Sequence, residues 1–427
     1  MDFDPWWLIL VPILFGLGWV AARVDIRQML SETRRLPDSY FRGLNFLLNE
    51  QPDRAIDAFI EVVKLDPETI ELHFALGNLF RRRGELERAI RVHQNLMQRS
   101  DLPEPQREQA LHELAQDYLK AGMLDRAEEG FVRLQSGRFA VPAVRALVRI
   151  YEAEHDWPKA IAAVHTLQTL VAEPVPQAVH YQCELAQAAM ATKPPQADAV
   201  QTALDAATAA LPQVDTGSAQ PTASQGAVRV SLLRAQWAML DGRPLDAQAE
   251  LDQALHAYPD FAGMLAAPWL QSHQVTATLE QALQRLQQCY AQHPSQDLFD
   301  AIFQRLQASG GAAASWPFAR QALQRQPSLL GLERLLQAQL AQAPSAATAE
   351  LSAPQVPASA QTTPPSAWLA TDDARLLHSL IHRPAQRLGR YACQACGFRA
   401  RRFYWQCPGC NAWETYLPKR LEELEGS

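Results

Sequence analysis

The pattern of apolar and polar positions beyond residue 40 is that of short paired helices. In residues 44–67, LNFLLNEQPDRAIDAFIEVVKLDP, apolar side chains recur every three or four positions and so share one helical face. Polar residues at 49–52 interrupt the pattern and Pro67 closes it, because such residues commonly end helices. This segment therefore predicts a helix, a short turn and a second helix.

The paired pattern returns along the chain with a period close to 34 residues, from Ala55 to Ala89 and on to Ala127 and Ala160. The first helix of each pair carries a small or β-branched residue at one position: Gly43, Gly77, Ala115, Val148. An aromatic residue follows three positions later: Phe46, Phe80, Tyr118, Tyr151. The second helix carries a larger residue opposite the small one: Phe59, His93, Phe131, Val164. Small residues allow the two helices to approach closely, and Gly84 and Gly122 are expected to form the turns between them.

This period and this order of residues resemble the tetratricopeptide repeat. A single helix pair cannot bury its apolar face, so we expect an all-α solenoid with a concave groove over residues 40–342. The register weakens after residue 172, a loop insert is expected at about 212–226, and Gly310-Gly311 is expected to break the helices near the end. A generic helical bundle is the alternative interpretation.

An uncharged apolar segment near the N-terminus, residues 6–22, predicts a membrane anchor. As a helix it spans roughly 25 Å, slightly less than the ~30 Å hydrocarbon layer. Arginines follow the segment, and the residues before it include Asp2 and Asp4 but no Lys or Arg, so the positive-inside rule predicts a periplasmic N-terminus and a cytoplasmic remainder. The alternatives are a cleaved signal peptide and a buried helix of a soluble domain. We expect a transmembrane anchor at 1–22 and a basic juxtamembrane linker at 23–39.

Composition distinguishes further segments toward the C-terminus. Residues 343–371 are rich in Pro and Ala and lack an apolar period, which predicts a flexible linker. Residues 372–388 are expected to form one short helix, since their acidic start suits a helix N-terminus. A small metal-binding domain is expected at 389–417, followed by a tail at 418–427.

Four of the six cysteines are spaced as two Cys-x2-Cys pairs with ten residues between them: Cys393, Cys396, Cys407, Cys410. Two such pairs supply the four thiolates of a tetrahedral site that accepts Zn(II) or, in rubredoxin-like domains, Fe. Gly397 and Gly409 are expected to allow the tight turns. Two disulfides are the alternative, which a cytoplasmic location disfavours. We predict a zinc-ribbon or rubredoxin-like domain that binds one metal ion and leaves no open position for hydrolytic chemistry.

Composition and charge exclude several functional classes. The 427-residue chain has a net charge of −7, which gives no overall attraction for nucleic acids or anionic lipids. Its 48% hydrophobic content excludes a disordered chain and a polytopic membrane protein. The sequence contains no phosphate-binding loop, nucleophile elbow or metalloprotease motif, so we expect no enzyme activity. Arginines make the cysteine-rich region locally basic, which fits contact with an acidic protein surface, lipid headgroups or RNA: Arg387, Arg390, Arg399, Arg401, Arg402.

The order of anchor, helical repeats and four-cysteine domain resembles the lipopolysaccharide assembly protein B family of Gram-negative bacteria. The segments that carry the resemblance are residues 43–59, 76–94 and 391–413. The similarity is close over residues 40–190 and 389–417 and looser between them.

The resemblance implies an inner-membrane scaffold that regulates lipopolysaccharide synthesis. Members of this family promote degradation of the LpxC deacetylase by the FtsH protease, associate with other assembly proteins, and have a rubredoxin-like ribbon thought to pack against the repeats. The expected partners are thus FtsH, LpxC, other lipopolysaccharide assembly proteins and the inner membrane, with a homodimer possible and no nucleic acid. Asn78, Arg81 and Arg82 are expected to face the groove and contact a partner. The alternatives are an iron electron-transfer protein and an RNA-contacting zinc-ribbon scaffold.

Overall fold

The computed structural model describes residues 15, 16, 19, 38–49, 51–65, 70–171, 175–211, 225–342, 371–387 and 390–425. The chain divides into two compact units, Met1–Ala172 and Glu173–Ser427. The predicted anchor lies outside the described residues except for three positions, and so do most residues of the two predicted linkers. In the described part of the chain, no helix is both long and apolar enough to cross a membrane.

The first unit is a series of helix pairs. Each odd-numbered helix packs against the even-numbered helix that follows it, and each pair also contacts the next pair. The helices are α1 (Asp38–Leu48), α2 (Pro52–Leu65), α3 (Ile70–Arg83), α4 (Leu86–Gln98), α5 (Glu104–Lys120), α6 (Leu124–Arg133), α7 (Ala140–Glu154) and α8 (Trp157–Leu170). This sequential packing is typical of a tetratricopeptide-like solenoid, as the repeat pattern predicts.

The second unit continues the same scheme and adds the cysteine-rich domain. Its helices are α9 (Ala178–Ala191), α10 (Ala197–Ala209), α11 (Gln225–Leu240), α12 (Pro244–Ala257), α13 (Ala262–Val275), α14 (Leu279–Gln292), α15 (Gln296–Arg325), α16 (Leu329–Gln342) and α17 (Thr371–Arg387). The cysteine-rich domain contains β1 (Tyr391–Ala392) and β2 (Arg399–Ala400) and is followed by α18 (Leu421–Glu425). Helices α9 to α16 form pairs in order, and α17 packs against α16.

The close approach of paired helices depends on the small residue in the first helix. A Cβ atom at Gly77 would lie 2.4 Å from the His93 ring, and one at Gly43 would lie 2.9 Å from the Phe59 ring. Both rings are completely buried, so they have little space into which to move. The predicted contact between the small position and the larger residue of the second helix is confirmed in these two repeats.

A buried polar network joins α3, α4 and α5. The His93 Nδ1 atom lies 2.6 Å from Asp117 Oδ2, and both side chains are fully buried. Arg81 Nη1 donates to Asp117 Oδ1 at 2.9 Å, and Arg81 Nη2 forms an ion pair with the Glu113 carboxylate at 2.5 Å. The Arg81 guanidinium thus compensates a carboxylate that is costly to bury alone. The sequence pattern identified His93 only as a packing residue.

Glycines with a left-handed backbone lie at the predicted breaks. Gly84 and Gly122 have φ angles of 81° and 74° and form the turns that follow α3 and α5, as expected. Gly311 has φ 62° and ψ −154°, which interrupts the regular geometry of α15 where the Gly310-Gly311 break was predicted.

Two segments differ from the sequence prediction. Helix α11 begins at Gln225, so residues 225 and 226 are helical and do not belong to the predicted loop; residues 212–224 lie outside the described part. Residues 418–425 do not behave as a free tail, because Arg420 is buried and pairs with Asp297 of α15. The helix expected at 372–388 spans Thr371–Arg387.

Replacing Gly77 with Ala is expected to lower the free energy of unfolding of the first unit by about 1–3 kcal/mol, because the new methyl group overlaps the buried His93 ring. Urea unfolding followed by circular dichroism measures the change. The control is Glu71→Ala, at an exposed position of the same helix, for which we expect a change below about 0.5 kcal/mol. Equal unfolding midpoints for the two variants would contradict the close packing of α3 and α4.

Candidate metal centre

The cysteines lie in a small domain folded around them. Strands β1 and β2 pair antiparallel, with Tyr391 opposite Ala400. An isolated β-bridge between Cys393 and Tyr416 brings the end of the domain back beside its first cysteine. Tyr416 and Cys407 have no exposed surface, so one cysteine of the second pair forms part of the domain's small core.

Each Cys-x2-Cys pair is held by the same backbone turn. The Gly397 N–H donates to the Cys393 carbonyl at 2.9 Å, and the Asn411 N–H donates to the Cys407 carbonyl at 2.8 Å. Gly397 and Asn411 both have a left-handed backbone, with φ angles of 75° and 57°. Asparagine tolerates this conformation better than most side chains, so the two turns are equivalent halves of one site.

Gly409 has a different role from the one expected. Its backbone is not left-handed, and a Cβ atom at this position would lie 3.2 Å from the Phe398 side chain. Gly409 therefore permits close packing between the two turns, while Asn411 takes the left-handed position. The signal in the sequence is that Asn411, like Gly397, directly follows the second cysteine of its pair.

The four sulfur atoms are grouped as a tetrahedral metal ion requires. Cys393 Sγ lies 3.8 Å from Cys410 Sγ, and Cys396 Sγ lies 3.7 Å from Cys407 Sγ. All four sulfurs lie within 4.8 Å of one another. Metal–sulfur bonds of about 2.3 Å in a tetrahedron place sulfurs about 3.8 Å apart, whereas a disulfide needs about 2.05 Å. The donor set therefore fits a metal ion better than two disulfides.

The local environment favours the thiolate of one cysteine in each pair. Burial opposes ionisation of Cys393, but the Thr415 hydroxyl at 3.2 Å and two backbone N–H groups lower its pKa to about 6. Burial likewise opposes ionisation of Cys407, and backbone N–H groups lower its pKa. At Cys396 and Cys410 a backbone N–H favours the thiolate, but burial and the neighbouring sulfurs outweigh it and raise the pKa of each. Four adjacent thiolates repel one another, so full ionisation of the set requires a cation.

These four residues would hold one metal ion and leave it no position for water or substrate. Such a closed site contributes folding energy, because it fixes two turns that the small domain could not otherwise order. Both Zn(II) and Fe accept four thiolates in this geometry. A bound ion of either kind would order the domain by joining its two turns.

Two tryptophans of the ribbon (residues 391–416) pack against helices of the second unit. The Trp413 ring stacks on the His180 ring, with centroids 4.7 Å apart and an interplanar angle of 14°, and meets Tyr181 edge-on at 5.9 Å. The Arg229 guanidinium lies 5.8 Å from the centroid of Trp405 and 5.9 Å from that of Trp413, within the range of cation–π attraction. Both tryptophan rings therefore contact residues of the array. RNA binding by base stacking would require these rings to face a nucleic acid instead.

Glu414 connects the ribbon to two helices of the array. Its Oε1 atom accepts hydrogen bonds from His180 Nε2 at 3.0 Å and from the Gly226 N–H at 2.8 Å. On the other side of the imidazole, His180 Nδ1 lies 3.3 Å from Arg229 Nη1 and therefore accepts. Burial lowers the pKa of His180. Burial also opposes ionisation of Glu414, but the hydrogen bond from His180 outweighs this effect and lowers the pKa of Glu414. The network thus contains a neutral histidine and an ionised glutamate.

Carboxylates from the ribbon region also cap two array helices. Gly226 lies in the first turn of α11 and Gln296 begins α15, where backbone N–H groups have no acceptor within the helix. Glu414 accepts from the Gly226 N–H, and Glu423 Oε1 accepts from the Gln296 N–H at 2.5 Å. A negative charge at a helix N-terminus also interacts favourably with the helix dipole.

A second set of contacts fixes the segment that follows the ribbon. The Arg420 guanidinium donates to Asp297 Oδ1 at 2.7 Å, and the Tyr391 hydroxyl donates to Asp297 Oδ2 at 2.5 Å. Burial, together with the nearby Asp297 charge, raises the pKa of Tyr391, which keeps this hydroxyl protonated as a donor. Asp297 of α15 thus holds the first strand of the ribbon and the residues after it.

These contacts come from the first helices of three pairs, α9, α11 and α15. His180 and Arg229 precede the small residues of their helices, Ala186 and Ala235, by six positions each, so they occupy equivalent places on successive first helices. First helices line the concave face of a tetratricopeptide-type solenoid. The ribbon therefore lies on that face of the second unit, a contact whose residues the sequence analysis did not identify.

The predicted partner-binding residues all lie on α3 of the first unit. Arg81 belongs to the buried network with Asp117 and also donates to the Asn78 side chain. Asn78 is half-buried, whereas Arg82 is exposed. Arg82 is thus the residue of the three whose side chain lies most open to solvent.

Comparison with known protein families identifies the ribbon. Residues 391–416 match the zinc-ribbon family described as a rubredoxin metal binding domain. Among solved structures, a tetratricopeptide repeat protein from Parabacteroides merdae covers 71% of this chain and 99% of its own, at 12% identity and a TM-score of 0.29.

Curated relatives extend over nearly the whole chain. The lipopolysaccharide assembly protein B of Escherichia coli K12 is 29% identical over 415 residues, which is 96% of this chain and 97% of the relative. The protein of the same name from Haemophilus influenzae is 27% identical over 427 residues, covering 97% of this chain and 98% of its own length. The resemblance predicted from the sequence is thereby confirmed: the chain has homologues of that name over nearly its full length.

Metal binding at the ribbon is expected to release at least about two protons per ion at pH 7, because the raised pKa values of Cys396 and Cys410 keep both thiols protonated until the metal binds. Calorimetric titration of the metal-free full-length protein with Zn(II), in buffers of different ionisation enthalpy, measures this number. Because protons compete with the metal for the thiolates, the apparent affinity should fall as the pH is lowered. Cys407→Ser should abolish this binding, whereas Cys289→Ser, a half-buried cysteine of α14, should preserve it. Absence of proton release would contradict the assigned protonation states.

Replacing Glu414 with Gln removes the charge that accepts from His180 and Gly226, so we expect the free energy of unfolding of the second unit to fall by about 1–3 kcal/mol. Urea unfolding of the metal-loaded protein at pH 7 measures the effect. Glu280→Gln, at an exposed position of α14, is the matched control and should shift the value by less than about 0.5 kcal/mol. An unchanged free energy of unfolding in Glu414→Gln would mean that the contact of Glu414 with His180 and Gly226 does not hold the ribbon in place.

Proposed function

We propose, on the premise that the chain is homologous to lipopolysaccharide assembly protein B over nearly its full length, that it is a protein-interaction scaffold of lipopolysaccharide assembly. The observation that carries the proposal is the extent of the similarity, which covers 96% of this chain rather than the ribbon alone. A shared succession of repeats and ribbon is more specific than the repeat motif, which by itself indicates only protein binding.

The more specific proposal concerns the inner membrane and the turnover of LpxC. Residues 6–22 would cross the inner membrane once, with the N-terminus in the periplasm and the array on the cytoplasmic side. The array would hold LpxC, or another lipopolysaccharide assembly protein, beside the membrane protease FtsH. Confinement to one membrane raises the effective concentration of client and protease, so the scaffold needs no catalytic group of its own.

Two features of the array support the first unit as the site of client binding. In the second unit the ribbon takes up the face formed by first helices, through His180 and Arg229. In the first unit, two first helices carry exposed arginines, Arg82 on α3 and Arg149 on α7. Cationic side chains on these helices suit an acidic segment of a partner, and the Arg81 network stabilises α3, which presents Arg82.

The ribbon has an architectural role in this proposal. Its four cysteines would fill the coordination sphere of the metal, and its tryptophans pack on α9 and α11. Loss of the metal would therefore act on the scaffold by disordering the ribbon rather than by removing a reaction centre.

The half-life of LpxC in the native bacterium tests the proposal. Deletion of the gene should lengthen the half-life and raise the amount of lipopolysaccharide, and the wild-type gene should restore both. Three variants should restore the LpxC half-life only partly or not at all. Cys407→Ser/Cys410→Ser should lose the ordered ribbon, Arg82→Glu should lose binding of the client, and a protein lacking residues 1–22 should lose the anchor.

Matched variants separate these roles from general misfolding. Cys289→Ser and Arg91→Glu, the latter at an exposed position of the second helix α4, should restore the LpxC half-life fully. An unchanged LpxC half-life after gene deletion would contradict the role in LpxC turnover. Full activity of the protein without residues 1–22, at native expression, would contradict the local-concentration mechanism.

A further inference from the structure

A second cluster of metal-ligating side chains lies between α16 and α17 and includes none of the ribbon cysteines. It consists of Glu333 on α16 and of His378 and His382 on α17. One ligand atom from each residue lies within 4.8 Å of the other two. Neither the family resemblance nor the proposed scaffold function accounts for this cluster.

The two histidines are spaced as a helical metal site requires. Residues four positions apart lie on the same face of a helix, one turn from each other. The His378 and His382 rings are stacked with their centroids 5.3 Å apart and an interplanar angle of 20°. Both residues are half-buried, so the cluster lies at the surface of the packed helices and an ion can reach it from solvent.

Glu333 supplies an acidic ligand from the facing helix. Its side chain is 6% exposed, whereas that of His382 is 40% exposed. Glu333 Oε1 lies 2.5 Å from His382 Nδ1, so the carboxylate is already directed at the histidines. A carboxylate buried to this degree is stabilised when a positive charge lies beside it.

We propose that Glu333, His378 and His382 bind one Zn(II) ion, or a divalent transition metal of similar preference. Two imidazoles and one carboxylate form a common zinc ligand set, whereas Mg²⁺ and Ca²⁺ prefer oxygen ligands alone. Zinc bonds of about 2.0–2.2 Å in a tetrahedron separate the ligand atoms by roughly 3.4 Å. The separations in the cluster begin at 2.5 Å and stay within 4.8 Å, so small side-chain rotations are sufficient.

The ion would fasten α17 to the helical array. His382 lies 49 positions after Glu333 in the chain, and the segment between α16 and α17 includes the Pro/Ala-rich residues 343–370. A metal that joins both helices would link positions far apart in the sequence and so restrict the unfolded chain. Because α17 ends four residues before the ribbon begins at Tyr391, the site would also fix the direction from which the chain enters the ribbon.

The competing explanation is a simple hydrogen bond between the Glu333 carboxylate and the His382 imidazole, with no metal. In that case His378 has no role as a ligand, and the protein binds only the ion held by the four cysteines. The two explanations differ in the number of metal ions bound by each chain.

The test is the Zn(II) content of the full-length protein, measured by mass spectrometry of the metal after equilibrium dialysis against micromolar Zn(II) in the presence of excess Mg²⁺. We expect two ions per chain in the wild type and one ion in His378→Gln and in His382→Gln. His256→Gln, an exposed histidine of α12, is the matched control and should retain two ions. Cys407→Ser should lose the ion of the ribbon and retain the ion at Glu333, His378 and His382. Circular dichroism confirms that each variant keeps its helical content.

One ion per chain in the wild type would overturn the proposal, and so would two ions in both histidine variants. Loss of an ion from His256→Gln would indicate binding without specificity for this cluster and would also overturn it. None of these results depends on LpxC turnover, so the site can fail while the proposed scaffold function stands.

Discussion

The hydrogen bond between His180 and Glu414 joins the metal-binding domain to the helical array at the point where a ribbon carboxylate also caps an array helix. Glu414 lies four residues after Cys410, and the turn between them contains the left-handed Asn411. A metal ion that fixes Cys407 and Cys410 therefore also fixes the loop that presents Glu414 to α9 and α11. The same carboxylate caps the first turn of α11, so order at the metal is coupled to order in the array.

This coupling explains why a small four-cysteine domain accompanies a repeat array. In a solenoid each repeat contacts only its neighbours, and the first helices of the repeats line a concave face that is open to solvent. In the second unit the ribbon packs on that face and contacts α9, α11 and α15 together, which ties non-adjacent helix pairs to one another. In the first unit the Arg81 network joins α3 to α5 through Asp117 and stabilises the face on which we propose that a client binds.

Much of this fold was predictable from local pattern, because packing at the small positions repeats along the chain. Residue type and spacing predicted three features: Gly77 opposite His93, the turns at Gly84 and Gly122, and the grouping of the four cysteine sulfurs. The docking residues were not predictable in the same way. His180 and Glu414 are 234 positions apart along the chain, Asp297 and Tyr391 are 94 positions apart, and each residue is of a type common on protein surfaces. Only the fold brings them together, and the same holds for Glu333 with His382.

We propose that the metal orders the ribbon on the first helices and that the ribbon in turn caps α11. The Gly226 amide tests it most directly, because its N–H is bonded to Glu414 rather than to its own helix. Hydrogen exchange at this amide should be slow in the metal-loaded full-length protein. After removal of the metal, or in Cys407→Ser/Cys410→Ser, we expect exchange at Gly226 to become much faster while amides in the middle of α11 stay protected. Equal exchange at Gly226 with and without the metal would contradict it.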